Sequence, residues 1–319
     1  MSALSNAPGV VVSTGGSERV TVASRIVGLL VRGLRALPRA GGLAVARFIG
    51  WLAWTLHIRR AIALDNVRHA LPERSASEQR RIVKAAYGSM ARAMYESVTS
   101  DLLSDEDVNR AVVVDDWKGL DVLLATRQPV LIASGHLGSW ELFAEVMARR
   151  GHVFSAVVRP LAGAFNAWLV ANRSRAGLEL ITQRGALRGM LDALRRGRAV
   201  VQLIDQALPR RDALWVPFFG RPASTTPALS LAALRTGAPV YFVAAVRDGE
   251  RLRMHVEGPI PLPASGSRRE RIEAHTAALT QALETQIRAN PEQWLWLHRR
   301  WKTPAVRAVA QMERRKSTP

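Results

Sequence analysis

The sequence has no cysteine, which excludes disulfides, thiolate nucleophiles, cysteine-ligated zinc and iron–sulfur clusters together. Long apolar runs are missing too. The longest charge-free stretches are Met1–Ser17, rich in Gly and Ser, and short segments such as Phe48–Ile58, whereas a membrane-spanning helix needs about 18 or more continuous apolar residues. No basic region precedes an apolar one near the start, so no signal peptide is expected. Lysine is scarce: Lys84, Lys118, Lys302 and Lys316 are all there are. Three tyrosines, no aromatic RNA-binding run and no zinc-finger spacing argue against nucleic acid as partner. The Gly-x-Ser-x-Gly elbow and the dinucleotide and Walker fingerprints are also absent, which disfavours serine hydrolases, nicotinamide enzymes and P-loop enzymes.

What remains is ample for a folded core. The chain has 319 residues, 48% of them hydrophobic, and 45 basic residues against 26 acidic ones give a net charge of +19. That length supports one large α/β domain or two smaller ones. The excess is carried by arginine, whose planar fork matches phosphate and carboxylate. An anionic lipid or an acidic carrier protein therefore suits the charge, although a GC-rich genome also favours arginine.

Residues 1–19 read as a disordered leader. From Val20 to Leu37 the pattern is an amphipathic helix with basic flanks, broken by Pro38 and Gly41-Gly42. Leu43–Ile58 carries Trp51, Trp54 and His57 before Arg59-Arg60, so residues 20–60 suit either a membrane interface or a helical hairpin packed on the core. Ser75 to Glu78 can cap a helix over Gln79–Ala93. Beyond Asp105 short β-branched runs (112–114, 130–133, 153–158, 199–204, 240–246) alternate with helical patterns (137–150, 163–176, 186–196). This predicts an α/β fold with a mostly parallel central sheet flanked by helices. Residues 254–263 read as an edge strand and turn, 268–288 as a long helix, and 304–319 as a flexible basic tail.

The most informative segment is Pro129–Glu141. A buried strand enters a Gly-containing turn that carries His136, and Ser139 can cap a helix starting at Trp140. Ligands in parallel sheets sit beyond the carboxyl ends of strands. On one continuous helix residues five apart diverge, so His136 and Glu141 can meet only if His136 precedes the helix. A histidine held by a carboxylate is a general base. Taken by itself, so short a spacing favours a structural histidine at a strand end with Glu141 merely solvated.

Four further motifs follow: Val158-Arg159-Pro160, Ile204-Asp205-Gln206, Val216-Pro217-Phe218-Phe219-Gly220, and the segment Pro291 to Thr303 containing Trp294, Trp296, His298, Arg299, Arg300 and Trp301. With His136-x4-Glu141, in this order and spacing, they resemble the lipid A biosynthesis late acyltransferases of the lysophospholipid acyltransferase-like superfamily, over about residues 25–303. The resemblance implies O-acyl transfer from an acyl thioester to a hydroxyl of a lipid A precursor. His136 would be the base and Glu141 its orienting partner. Arg159 would bind an acceptor phosphate or the developing oxyanion, and Asp205 would hold Arg159 or a sugar hydroxyl. No metal and no cofactor are implied: acyl carrier protein, or coenzyme A, brings the co-substrate. The expected setting is the cytoplasmic face of the inner membrane, with acyl carrier protein, anionic membrane lipid and a glycolipid acceptor as partners. Other acceptors, or a non-catalytic membrane-binding protein, are the alternatives.

Three weaker readings complete the analysis. Ser224, Thr225 and Thr226 would begin a helix able to cap or to receive phosphate. Phe218-Phe219 would line either an acyl channel or the core. The tryptophans of 294–301 would be core, with the basic residues as a solvated rim.

Overall fold

The computed structural model describes residues 22–159, 164–175, 177–208 and 213–301; the expected leader and basic tail lie outside the described residues. Four helices come first, α1 (Val22–Ala36), α2 (Arg39–Thr55), α3 (Arg60–Ala70) and α4 (Ala76–Thr99). Pro38 separates α1 from α2, but Gly41 and Gly42 lie inside α2 rather than in the break. Packing explains the difference. Gly42 presses on the Tyr95 ring, and a Cβ at Gly50 would sit 2.8 Å from the Tyr87 carbonyl oxygen. The missing side chains let α2 lie directly against α4. A capping box between Ser75 and Glu78 starts α4, which runs past Ala93 to Thr99.

After α5 (Asp105–Ala111) the chain alternates through β1 (Val112–Val114), α6 (Leu120–Ala125), β2 (Leu131–Ser134), α7 (Trp140–Arg149), β3 (Phe154–Val158), α8 (Ala164–Arg175), β4 (Glu179–Thr182), α9 (Ala186–Arg195) and β5 (Ala199–Leu203). A hairpin of β6 (Leu214–Phe218) and β7 (Arg221–Thr225) follows, then α10 (Ala228–Thr236), β8 (Val240–Asp248), β9 (Arg251–Glu257) and α11 (Arg268–Ala289). Among the described residues seven strands form one sheet in the order β1-β9-β8-β2-β5-β3-β4. All neighbours are parallel except β8 and β9, as the alternating pattern predicts. The expected edge strand is β9, yet it lies one place inside the edge, covered by β1.

Ser224 and Thr225 belong to β7 instead of opening a helix. The turn Phe219-Gly220 has positive φ at both positions, 50° and 72°, the backbone twist that closes a tight hairpin. Residues 221–225 are thereby committed to pairing with 214–218.

Helices cover both sheet faces, and β8 records this directly. Phe242, Ala244 and Val246 enter one buried cluster with Met190, Val200 and Leu283, while Tyr241, Val243 and Ala245 enter another with Ile132, Val146 and Phe154. Such period-two burial on both sides is typical of a central strand.

The site is positioned by register. Ser134 of β2 pairs with Leu203 of β5, so His136 and Asp205, each two residues further along, leave adjacent strands side by side. Between β2 and α7 the chain turns at Gly138, whose φ is +64° and whose added Cβ would run into the Ala245 carbonyl oxygen. Gly138→Ala should therefore lower stability by about 1–3 kcal/mol or more, measured by urea denaturation; an unchanged midpoint would contradict the assigned turn.

Candidate active site

His136 is half-buried at the end of β2. Its Nδ1 lies 2.7 Å from Asp205 Oδ1 and its backbone N–H donates to Asp205 Oδ2 at 2.8 Å. Trp294 Nε1 donates to the same Oδ2 at 2.9 Å. Burial by itself opposes ionisation of Asp205. The charge of protonated His136, the bonds from its ring and backbone and the indole N–H outweigh burial and hold the carboxyl well below the usual carboxylate range. An ionised acceptor keeps a proton on Nδ1, leaving the Nε2 lone pair at the cleft. The amide nitrogen of Gln206 is 3.2 Å from that atom.

The expected pairing of His136 with Glu141 is corrected by this geometry. Glu141 sits in the first turn of α7, on the side that meets α8. There Arg173 Nε donates to its Oε2 at 3.0 Å, Arg173 Nη2 donates to its Oε1, and Trp140 Nε1 donates to Oε1 at 3.1 Å. Trp140 also packs edge-on against the His136 ring, with centroids 5.0 Å apart, so one indole touches both pairs. The expectation that Asp205 holds Arg159 is likewise corrected, because its oxygens accept from His136 and Trp294. Arg159 follows β3, is exposed, and has no ion-pair partner among the described residues. Ser139 precedes α7 but donates its hydroxyl to buried Glu96 at 2.6 Å rather than capping the helix.

Residues 291–301 complete the site. Leu295 N–H donates to the His136 carbonyl at 3.2 Å, and Gly138 N–H to the Gln293 carbonyl at 3.1 Å. Asn66 of α3 donates to the carbonyls of Trp296 and His298, both at 2.7 Å. Trp294 and Trp296 are buried, as expected of core. Arg300 departs from the expected solvated rim, being 1% exposed. It donates to the Ser224 carbonyl and to Thr225 Oγ1 and lies over the Phe218 ring. Burial lowers its pKa to about 10, partly offset by Asp205, so it stays protonated at neutral pH. Phe218 and Phe219 are buried among Trp294, Trp296 and Trp301 and are core.

A cleft of about 490 Å³ opens at His136, lined also by Arg59, Arg159, Arg173, Gln206 and Arg299. Beside it, an apolar cavity of about 70 Å³ lies between the sheet and α7, with Ile132, Phe143, Ala156 and Val201 in its wall. Val157, Val158, Leu203 and Arg173 line both spaces. Among the described residues no group of three or more His, Asp or Glu side chains is arranged to hold a metal.

Sequence reasoning missed Arg173 and the bonding role of Trp294. Nothing local marks Arg173 among so many arginines, whereas the Trp-rich segment did stand out and was read only as packing.

Asp205→Asn would leave one of the three N–H donors without an acceptor. A loss of about 1–3 kcal/mol at neutral pH is expected. Because the folded carboxyl is depressed, its stabilisation is present above the unfolded value of about 3.9 and declines as pH falls below that. Denaturation at pH 7.5 and pH 3.5 should show the gap between wild type and variant narrowing in acid.

Comparison with known proteins places the chain in a family. The description of bacterial lipid A biosynthesis acyltransferases matches residues 19–303. The chain is 27% identical over 253 residues to the lipid A biosynthesis palmitoleoyltransferase of Escherichia coli, covering 78% of this chain and 80% of the relative. It is 27% identical over 260 residues to the lipid A biosynthesis lauroyltransferase of the same organism, covering 80% and 83%. A crystal structure of the 1-acyl-sn-glycerophosphate acyltransferase PlsC from Thermotoga maritima aligns over 85% of this chain and 99% of its own, at 12% identity and a TM-score of 0.35. The match over residues 19–303 takes in every strand of the sheet and all the residues around His136, and the chain belongs to the bacterial lipid A biosynthesis acyltransferase family.

Proposed function

We propose that this O-acyltransferase moves a fatty acyl chain from acyl carrier protein to a hydroxyl of a lipid A precursor, with His136 as general base. The observation that carries this reading is the Asp205–His136 pair, which leaves the Nε2 lone pair at an arginine-lined cleft. The acceptor hydroxyl donates to Nε2. As its oxygen attacks the thioester carbonyl carbon, the proton passes to Nε2 and the carbonyl electron pair moves onto oxygen. Asp205 stabilises the imidazolium so formed. When the tetrahedral intermediate collapses, the C–S bond breaks and the thiolate leaves with the proton from Nε2. No acyl-enzyme and no cofactor enter this scheme. Glu141 serves as a positioning residue that fixes the fork of Arg173 in the cleft.

The two spaces at the site divide the substrates. The apolar cavity beside the sheet suits a few methylenes of the acyl chain, and the arginines suit anionic groups. Arg59, Arg159 and Arg299 have no carboxylate partner among the described residues, so their forks are available to acceptor phosphates. An acidic carrier would be drawn to the +19 chain.

The membrane is the expected source of the acceptor. Leu29, Leu30, Phe48, Ile49, Trp51 and Leu56 of α1, α2 and the following turn are exposed, a cluster suited to an interface. No helix among the described residues is long and apolar enough to cross a membrane, and this reading has α1 and α2 lie on the cytoplasmic face of the inner membrane. Their apolar groove reaches Leu297, the residue before His298 and Arg299 of the cleft. A lipid acceptor thus has a short path from bilayer to base.

Deleting the gene and analysing lipid A by mass spectrometry should show the loss of one acyl chain, restored by wild type and not by His136→Ala. An unchanged lipid A with another lipid altered would reassign the acceptor. With purified protein, His136→Ala should lower thioester turnover by about 10²–10⁴ while leaving binding to anionic vesicles intact. The double variant Phe48→Ser, Trp51→Ser should do the opposite, weakening vesicle binding by about tenfold or more through lost apolar burial; full binding would place the membrane contact elsewhere.

A further inference from the structure

The Nε2 lone pair of His136 is occupied in the structure. Gln206 Nε2 lies 3.2 Å from it, in the place an acceptor hydroxyl must take for proton transfer. Gln206 is the only side chain bonded to that ring nitrogen among the described residues. The backbone carrying it is tied down on both sides. Asp205 accepts from His136 and Trp294, Ala207 N–H donates to His298 Nε2 at 3.1 Å, and the Leu208 carbonyl accepts from Ser224 Oγ at 2.7 Å. The amide itself is half-buried, and among the described residues its one hydrogen bond is the contact to the imidazole. A fixed Cα and a releasable donor beside the base are the attributes of a group that acts in the reaction.

Arriving acceptor oxygen must displace this amide from Nε2 yet remain within its reach, because both bind the same atom. The carbonyl carbon bonded by that oxygen then carries its developing negative charge one bond further on. Arg173, the half-buried arginine of the cleft, is already engaged by Glu141. We propose that Gln206 caps the base in the empty enzyme and, once displaced by the acceptor, donates its side-chain N–H to the oxyanion of the tetrahedral intermediate. The proton balance is unaltered: the acceptor proton goes to Nε2 and on to the departing thiolate, while the Gln206 N–H is lent as a hydrogen bond and never transferred. This assignment rests on His136 being the base.

The test compares Gln206→Ala and the near-isosteric Gln206→Glu, which keeps size and loses the donor, with wild type and His136→Ala, using an acyl carrier protein thioester and a lipid A precursor in detergent. A donor used only in the transition state is worth about 10²–10³ in kcat and lowers kcat and kcat/KM alike. Both Gln206 variants should therefore lose about a hundredfold in kcat, with KM for donor and acceptor within about threefold of wild type and the same thermal midpoint. If kcat is unchanged or rises because the base is uncapped, while His136→Ala is inactive, the oxyanion role is overturned and the base stands. A change confined to the acceptor KM would make Gln206 a binding residue and overturn it equally. Full turnover by His136→Ala would remove the base assignment, and this proposal with it.

Discussion

A carboxylate taken out of water is costly unless its lone pairs are met by donors, and Asp205 imposes that requirement on everything around it. It lies at the end of a central strand, 2% exposed, and three N–H groups from two distant stretches of chain converge on it. The β2–β5 register supplies the imidazole and the amide, and the Trp-rich segment supplies the indole. Each donor that satisfies the charge also restricts a position: the histidine tautomer, the path of the turn after β2, and the approach of residues 291–301. The geometry of His136 follows from satisfying one buried anion.

Around this pair a second layer of buried charge keeps the frame rigid. Arg300 braces β7 from within the core, while Glu96 accepts from Ser139, Arg92 and Arg247 and so ties α4 to the start of α7 and to β8. In a chain so rich in arginine, these are the positions where guanidinium groups serve structure. Along the cleft Arg173 is held by Glu141, whereas Arg59, Arg159 and Arg299 have no carboxylate among the described residues, and that difference in pairing separates the two groups of arginines. Composition cannot make the distinction; partners can.

The alternation of strands and helices, the helices of the first hundred residues and the place of His136 at a strand end were legible in the sequence, since all three depend on local periodicity or turn chemistry. The strand order was not. Neither the insertion of β5 between β2 and β3 nor the burial of β9 beneath β1 leaves a local mark, and the partner of His136 depends on the first of these. The family resemblance implies Glu141 as the partner, five positions on, whereas the residue bonded to His136 is Asp205, 69 positions later. The hairpin at 214–225 escaped for another reason: its turn uses Phe219 at positive φ, a residue that does not usually announce one.

Residues 291–301 bridge the His136 turn and provide the third donor to Asp205, and they follow all nine described strands in the chain. During synthesis the imidazole therefore has no complete set of partners until α11 and the tryptophan segment have left the ribosome. Helices α1 and α2, by contrast, are the first described elements to emerge. A nascent chain would thus present its exposed apolar helices early and complete the surroundings of Asp205 last, the two events separated by almost the whole length of the protein.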